Sequence, residues 1–137
     1  MHGTVNIEYD AERNIVFTVD DWEIKNQGDV DEFFAEHVKR FEKFGKKIYM
    51  ISNIDKLAIH PSVLEYYGET ARRTIGHYIL GFARWGSNDL SRMSIRTSSM
   101  KAHLESHIYR TREEAVQYIE DLKKAAPGSP PEEKQIT

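Results

Sequence analysis

Four consecutive apolar residues, Ile48-Tyr49-Met50-Ile51, constrain this chain more than any other stretch. A strand that is apolar at every position favours neither of its faces, and such strands lie inside parallel sheets with helices on both sides. The surrounding sequence predicts a strand over Lys47–Ser52, a helix from about Pro61 to Ile75 and a second buried strand over Tyr78–Trp85. Parallel neighbours need a crossover of about a dozen residues or more, and that helix supplies it, so the segment predicts a right-handed βαβ unit.

The flanks fit around this unit. Thr4–Tyr9 alternates, with Val5, Ile7 and Tyr9 on one side, and Ile15 to Val19 reads as a second strand across the turn Asp10-Ala-Glu-Arg-Asn14. The pair predicts an antiparallel hairpin at one sheet edge. Trp22 and Ile24 prolong the apolar signal as far as Asn26-Gln-Gly28. Asp29 is placed to cap a first helix whose inward stripe is Val30, Phe33, Phe34, Val38, Phe41 and Phe44, stopped by Gly45. In the second helix, Val63, Tyr66, Tyr67, Thr70, Ala71, Thr74 and Ile75 face inward and Gly76 ends it. A third helix follows Gly86-Ser87-Asn88-Asp89, with Leu90, Met93, Thr97, Met100 and Leu104 as its inward stripe. His107–Tyr109 is a short last strand, and Thr111-Arg-Glu-Glu114 is a capping box opening a fourth helix that turns Ala115, Tyr118, Ile119 and Leu122 inward. The expected fold is therefore α/β: one domain over residues 1–125, element order ββαβαβαβα, a mixed sheet with helices packed on it. Residues 126–137, with Pro127-Gly-Ser-Pro-Pro131, read as a flexible tail.

Bulk composition narrows the function. At 137 residues the chain can bury roughly two-thirds of its unfolded surface, enough for a core without staples. It has no cysteine, which excludes disulfides and thiolate metal sites. A net charge of −3 with mixed signs argues against a nucleic-acid binder. No apolar run approaches the ~20 residues that span a bilayer, and the start lacks a signal-peptide pattern. These readings point to a soluble, cytoplasmic protein.

Few residues carry a chemical signature. The chain has no Gly-x-Ser-x-Gly elbow, phosphate-binding loop or Gly-x-Gly-x-x-Gly pattern, so no catalytic residue and no cofactor are predicted. His103 and His107 share an i, i+4 spacing but lack the acid that would complete a metal set, so no metal site is predicted. Arg84 falls at the carboxyl end of a buried parallel strand, where open α/β sheets bind ligands. Arg92 and Arg96 are four apart on one helical face. With Trp85, Tyr66 and Tyr67 as apolar walls, this group could hold an anionic ligand; ordinary surface arginines are the competing reading.

At this point the sequence resembles the SpoIIAA-like branch of the STAS domains, which includes anti-sigma-factor antagonists and sulfate-transporter tails. The resemblance spans about residues 4–124 and rests on element order, on Ile51-Ser-Asn-Ile-Asp55, and on Ile108-Tyr-Arg-Thr-Arg-Glu-Glu-Ala115-Val-Gln-Tyr-Ile119. Antagonists of that family carry Asp-Ser-Ser-Gly at the start of the helix after the third strand, and a partner kinase phosphorylates the second serine. The motif falls here on His60-Pro61-Ser62-Val63, where only Ser62 matches. Ser62 is thus a candidate phosphoacceptor; it is equally read as the cap of Ser62-Val-Leu-Glu65, with His60 as an alternative cap before Pro61. The resemblance implies a non-catalytic regulatory or interaction module, working by protein–protein contact or small-ligand sensing. Its expected partner surface is His60–Glu65 with the third helix. The alternative is a carrier of an amphipathic anionic molecule such as a lipid.

Overall fold

A computed structural model describes residues 3–125, and the tail expected at 126–137 lies outside them. β1 (Gly3–Asp10) and β2 (Ile15–Ile24) pair antiparallel. α1 (Gln27–Phe41) runs into a 3-10 turn over Glu42–Phe44 and stops at Gly45. β3 (Ile48–Asn53) and β4 (Leu57–Ile59) follow, then a 3-10 turn over Pro61–Val63 that opens α2 (Leu64–Tyr78). β5 (Ile79–Trp85), α3 (Asp89–Lys101), β6 (Ile108–Tyr109) and α4 (Arg112–Lys124) complete the order.

The sheet runs β1-β2-β3-β5-β6, with β4 pairing β2 beyond the end of β3. β3 lies between β2 and β5 and is parallel to both, so the apolar run at Ile48–Ile51 is interior, as its composition requires. Alternation along each strand divides the core between two layers. On one face Val16, Met50 and Phe82 pack with Phe41, while Trp22 and Ile24 pack with Phe33, Tyr67 and Ile95 beneath α1, α2 and α3. On the other face Ile15, Ile51 and Ala83 meet Ala115 and Ile119 of α4. Ile119 is wholly buried; a fully buried side chain of this size stabilises by about 1.5–3 kcal/mol. The capping box predicted for α4 is formed, with the Thr111 hydroxyl accepting from the Glu114 N–H and Glu114 reaching back.

Several local expectations are corrected. β2 extends five residues past Val19 to Ile24, and the stretch expected as loop contains β4, which pairs with that extension. Asn26 caps α1, its Oδ1 accepting from the Asp29 N–H at 2.9 Å, while Asp29 accepts from the Lys25 N–H. His60 caps the turn before α2 through its ring nitrogen, so Ser62 does not form the box with Glu65. α2 continues through Gly76 to Tyr78, and β6 is confined to Ile108–Tyr109.

The largest correction concerns α3, a continuous helix on which Leu90, Met93 and Met100 of the predicted inward stripe point outward, while Leu104, beyond the end of the helix, packs on the core as expected. Leu90, Met93 and Met100 are 70, 57 and 71% exposed. The buried face is Ser91, Arg92, Ile95, Ser98 and Ser99. Close approach contributes to the inversion: a Cβ added at Gly68 of α2 would lie 2.2 Å from the Ser98 carbonyl oxygen, so only small side chains fit at that contact, while Arg92 and Ile95 are buried elsewhere on the same face. The serine hydroxyls are satisfied locally, Ser91 by the Leu57 carbonyl at 2.8 Å and Ser98 by the Ile95 carbonyl at 3.1 Å.

Candidate functional site

Two features stand apart from ordinary core and surface: a buried polar row beneath α1 and α2, and an apolar outer face on α3 beside a cleft. The row follows from strand register. Thr18 is the register partner of Ser52, and Ser52 that of Arg84, so three polar side chains cross β2, β3 and β5 on one line. The Thr18 hydroxyl donates to the Asp20 carboxylate at 3.0 Å, two residues along the same strand face, and lies 2.8 Å from the Ser52 hydroxyl. His37 of α1 places Nε2 3.2 Å from Asp20 Oδ1 and Nδ1 2.9 Å from the Phe33 carbonyl. Both ring nitrogens therefore face acceptors, an arrangement only the doubly protonated imidazole satisfies. Burial is the strongest single influence and opposes that charge, but the Asp20 carboxylate, the Phe33 carbonyl and Glu36 together overcome it and the His37 pKa is raised. Tyr67 of α2 also borders the row; burial raises the pKa of its phenol, which stays neutral.

The arginines predicted as one anion-binding group serve separate roles. Arg84 is buried, its Nη1 donating to Ser99 Oγ at 3.3 Å and the Ser106 carbonyl at 3.1 Å. Arg92 is buried as well, its Nη1 bridging the Gly86 carbonyl at 3.0 Å and the Tyr109 carbonyl at 2.7 Å, which ties α3 to the ends of β5 and β6. Arg96 is exposed. Trp85 follows Arg84 in an extended strand and packs toward α4, on the opposite face of the sheet. Tyr66 donates to Asp31 at the surface at 2.7 Å, while Tyr67 turns inward. A cavity borders Arg84, walled by Phe33, Phe34, Phe41 and Tyr67, but it holds only about 20 Å³ of free space, room for a water. α3 ends at Lys101, so His103 and His107 do not share a helical face, and the described residues contain no cluster of metal-ligating side chains.

The cleft is larger, about 530 Å³, and is open. Ile24, Leu57 and Ile59 form its floor, His60 and Pro61 one wall, Leu90 and Ser94 the other. Asp55 builds the loop beneath α3: its carboxylate accepts from the Ser87 and Asn88 N–H groups at 2.7 and 2.9 Å. Partial burial acts to raise its pKa, and those N–H bonds overcome the effect, leaving it below the ordinary aspartate value. Ser62 is exposed on the turn beyond Pro61, its hydroxyl 2.9 Å from His60 Nδ1. The cleft thus adjoins the candidate phosphoacceptor on one side and, through Leu90, the exposed stripe of α3 on the other. Sequence reasoning missed Asp20 and His37; the available signal was the pair Thr18 and Asp20 at inward positions of an otherwise apolar strand face.

No helix among the described residues is long and apolar enough to cross a membrane. Comparison with protein-family models, with curated proteins and with solved structures finds no match.

Proposed function

We propose that this chain is a non-catalytic interaction module of the STAS-like type, acting in the cytoplasm through protein–protein contact. The observation that carries the reading is the inverted third helix. Leu90, Met93 and Met100 lie on one outer face although the inner face of the same helix is built largely from serines and an arginine. Exposed apolar residues grouped in this way, next to a cleft, mark contact surfaces more often than scattered single ones do. The mixed sheet with one antiparallel edge strand, and a helix opening just beyond β3 and β4, support the STAS-like assignment of architecture. On this reading His60–Glu65 and α3 form a continuous surface, and Ser62 is the position at which a phosphate would alter it. A phosphate there would sit just before α2, at the end of the helix whose dipole favours negative charge.

The test is recovery of the natively expressed protein with whatever protein it binds. Leu90→Glu and Met93→Glu are expected to lose that protein while keeping the fold, and Leu80→Glu, at an exposed position on β5, is expected to keep it. Retention by all three variants would end the reading.

A second reading, carriage of an amphipathic anion such as a lipid, is favoured by buried Arg84 beside aromatic walls. With about 20 Å³ free, such a ligand would have to part α1 from α2. Native mass spectrometry of freshly isolated protein tests it: a bound acid lost in Arg84→Met supports carriage, and bare protein argues against it.

A further inference from the structure

His37 is a polar point at which α1 is fastened to the sheet. Both of its ring nitrogens face acceptors, Asp20 Oδ1 at 3.2 Å and the Phe33 carbonyl at 2.9 Å. A neutral imidazole has one N–H. Loss of a proton therefore turns one of these contacts into two lone pairs facing each other inside the protein. The charged and titratable groups around the ring are Asp20 on β2, Arg84 on β5, Tyr67 on α2 and Glu36 on α1. Burial and Arg84 oppose the charged ring, the two carboxylates favour it, and Tyr67 stays neutral.

Space lies directly beside this fastening. The cavity of about 20 Å³ is bounded by Phe34 and Phe41 of α1, Tyr67 and Thr74 of α2, and Ser52 and Arg84 of the sheet. Past the end of α1, Gly45 has a φ of +67° and open surroundings, so the chain can turn there without displacing a neighbour. Asp31 and Glu42, near the two ends of α1, accept from the Tyr66 and Tyr78 hydroxyls of α2 at 2.7 and 2.9 Å on the surface. Those bonds keep α1 beside α2 when the inner one weakens.

We propose that α1 is a pH-sensitive lid over the buried polar row: it is closed on the sheet while His37 is charged, and loss of that proton loosens it and lets water into the space beside Arg84. This goes beyond the contact surface on α3 and does not depend on it. Burial opposes the charge, and Asp20, the Phe33 carbonyl and Glu36 overcome it, so the closed form holds the proton more tightly than an exposed histidine does. Closure is strongest below pH 6.5 and weakens as pH rises through the closed-form value.

Hydrogen exchange of the full chain from pH 5.5 to 8.5, corrected for intrinsic rate, tests the proposal, with the ring nitrogen shifts of His37 reporting its charge. The α1 amides are expected to exchange through an opening of their own, less protected than those of α4 and little affected by low denaturant. Their protection should fall as the ring loses its proton. His37→Gln should leave α1 weakly protected at every pH. Asp20→Asn, which removes a carboxylate that retains the proton, should move the loosening to lower pH. Circular dichroism of each variant separates a loosened helix from a lost fold. If α1 and α4 share one protection and one denaturant dependence at every pH, α1 opens only when the whole protein unfolds and there is no lid. A ring that does not titrate in this range, or α1 protection that stays constant while it does, overturns the proposal as well.

Discussion

His37 Nε2 and Asp20 Oδ1 meet at 3.2 Å inside the protein, each side chain 5% exposed. Linkage gives the sign of the consequence. The His37 pKa is raised above 6.5, against burial and through Asp20, so its contribution is fully present below pH 6.5 and is lost as pH rises through the folded-state value. His107 acts oppositely: burial lowers its pKa, so its contribution is lost as pH falls below 6.5. Urea midpoints of wild type and His37→Gln across pH 5.5–8.5 separate the two, and the advantage of the wild type is expected to shrink toward alkaline pH.

Arg84→Met should destabilise the fold by about 1–3 kcal/mol, because it leaves the buried Ser99 hydroxyl and the Ser106 carbonyl without their donor. Denaturant unfolding measures the loss. A variant as stable as wild type would show that the guanidinium is dispensable to the polar row.

Arg92→Lys should cost about 1–3 kcal/mol, since an ammonium is a poor substitute for a planar group bridging two carbonyls. Hydrogen exchange should localise the effect, with faster exchange at Arg84 and Gly86, whose N–H groups bond the His107 and Tyr109 carbonyls.

Gly68→Ala should force α2 and α3 apart, because the new methyl would meet backbone at 2.2 Å rather than a movable side chain. Overpacking of this kind costs about 1–3 kcal/mol. The thermal midpoint should fall, with spectral changes in α3 larger than in α4.

Much of this fold was legible because its signals are local. Ile48–Ile51 announced an interior parallel strand, and Thr111–Glu114 announced a helix start whose cap is formed as read. β4 was not legible: Leu57-Ala-Ile59 is too short for a pattern, and it is a strand only because β2 extends far enough to pair with it. The face of α3 was misread for a physical reason. Hydrophobic periodicity locates an apolar stripe but does not say whether that stripe meets the core or solvent, and here the close approach of Gly68 to Ser98 leaves room only for a small side chain at that point of the inner face. The polar row joins Asp20, His37 and Arg84 from three distant segments, so no spacing rule could assemble it. Trp85 and Arg84 were grouped by sequence adjacency, and strand alternation sends them to opposite faces.

The central claim, that the outer face of α3 is a contact surface, is tested most directly by a photo-crosslinking residue at position 93, compared with one at position 80. Illumination in the cell should give a discrete higher-mass adduct from position 93, either chain with chain or chain with another protein, and little from position 80. Equal yields from both positions, or no adduct from position 93, would contradict it.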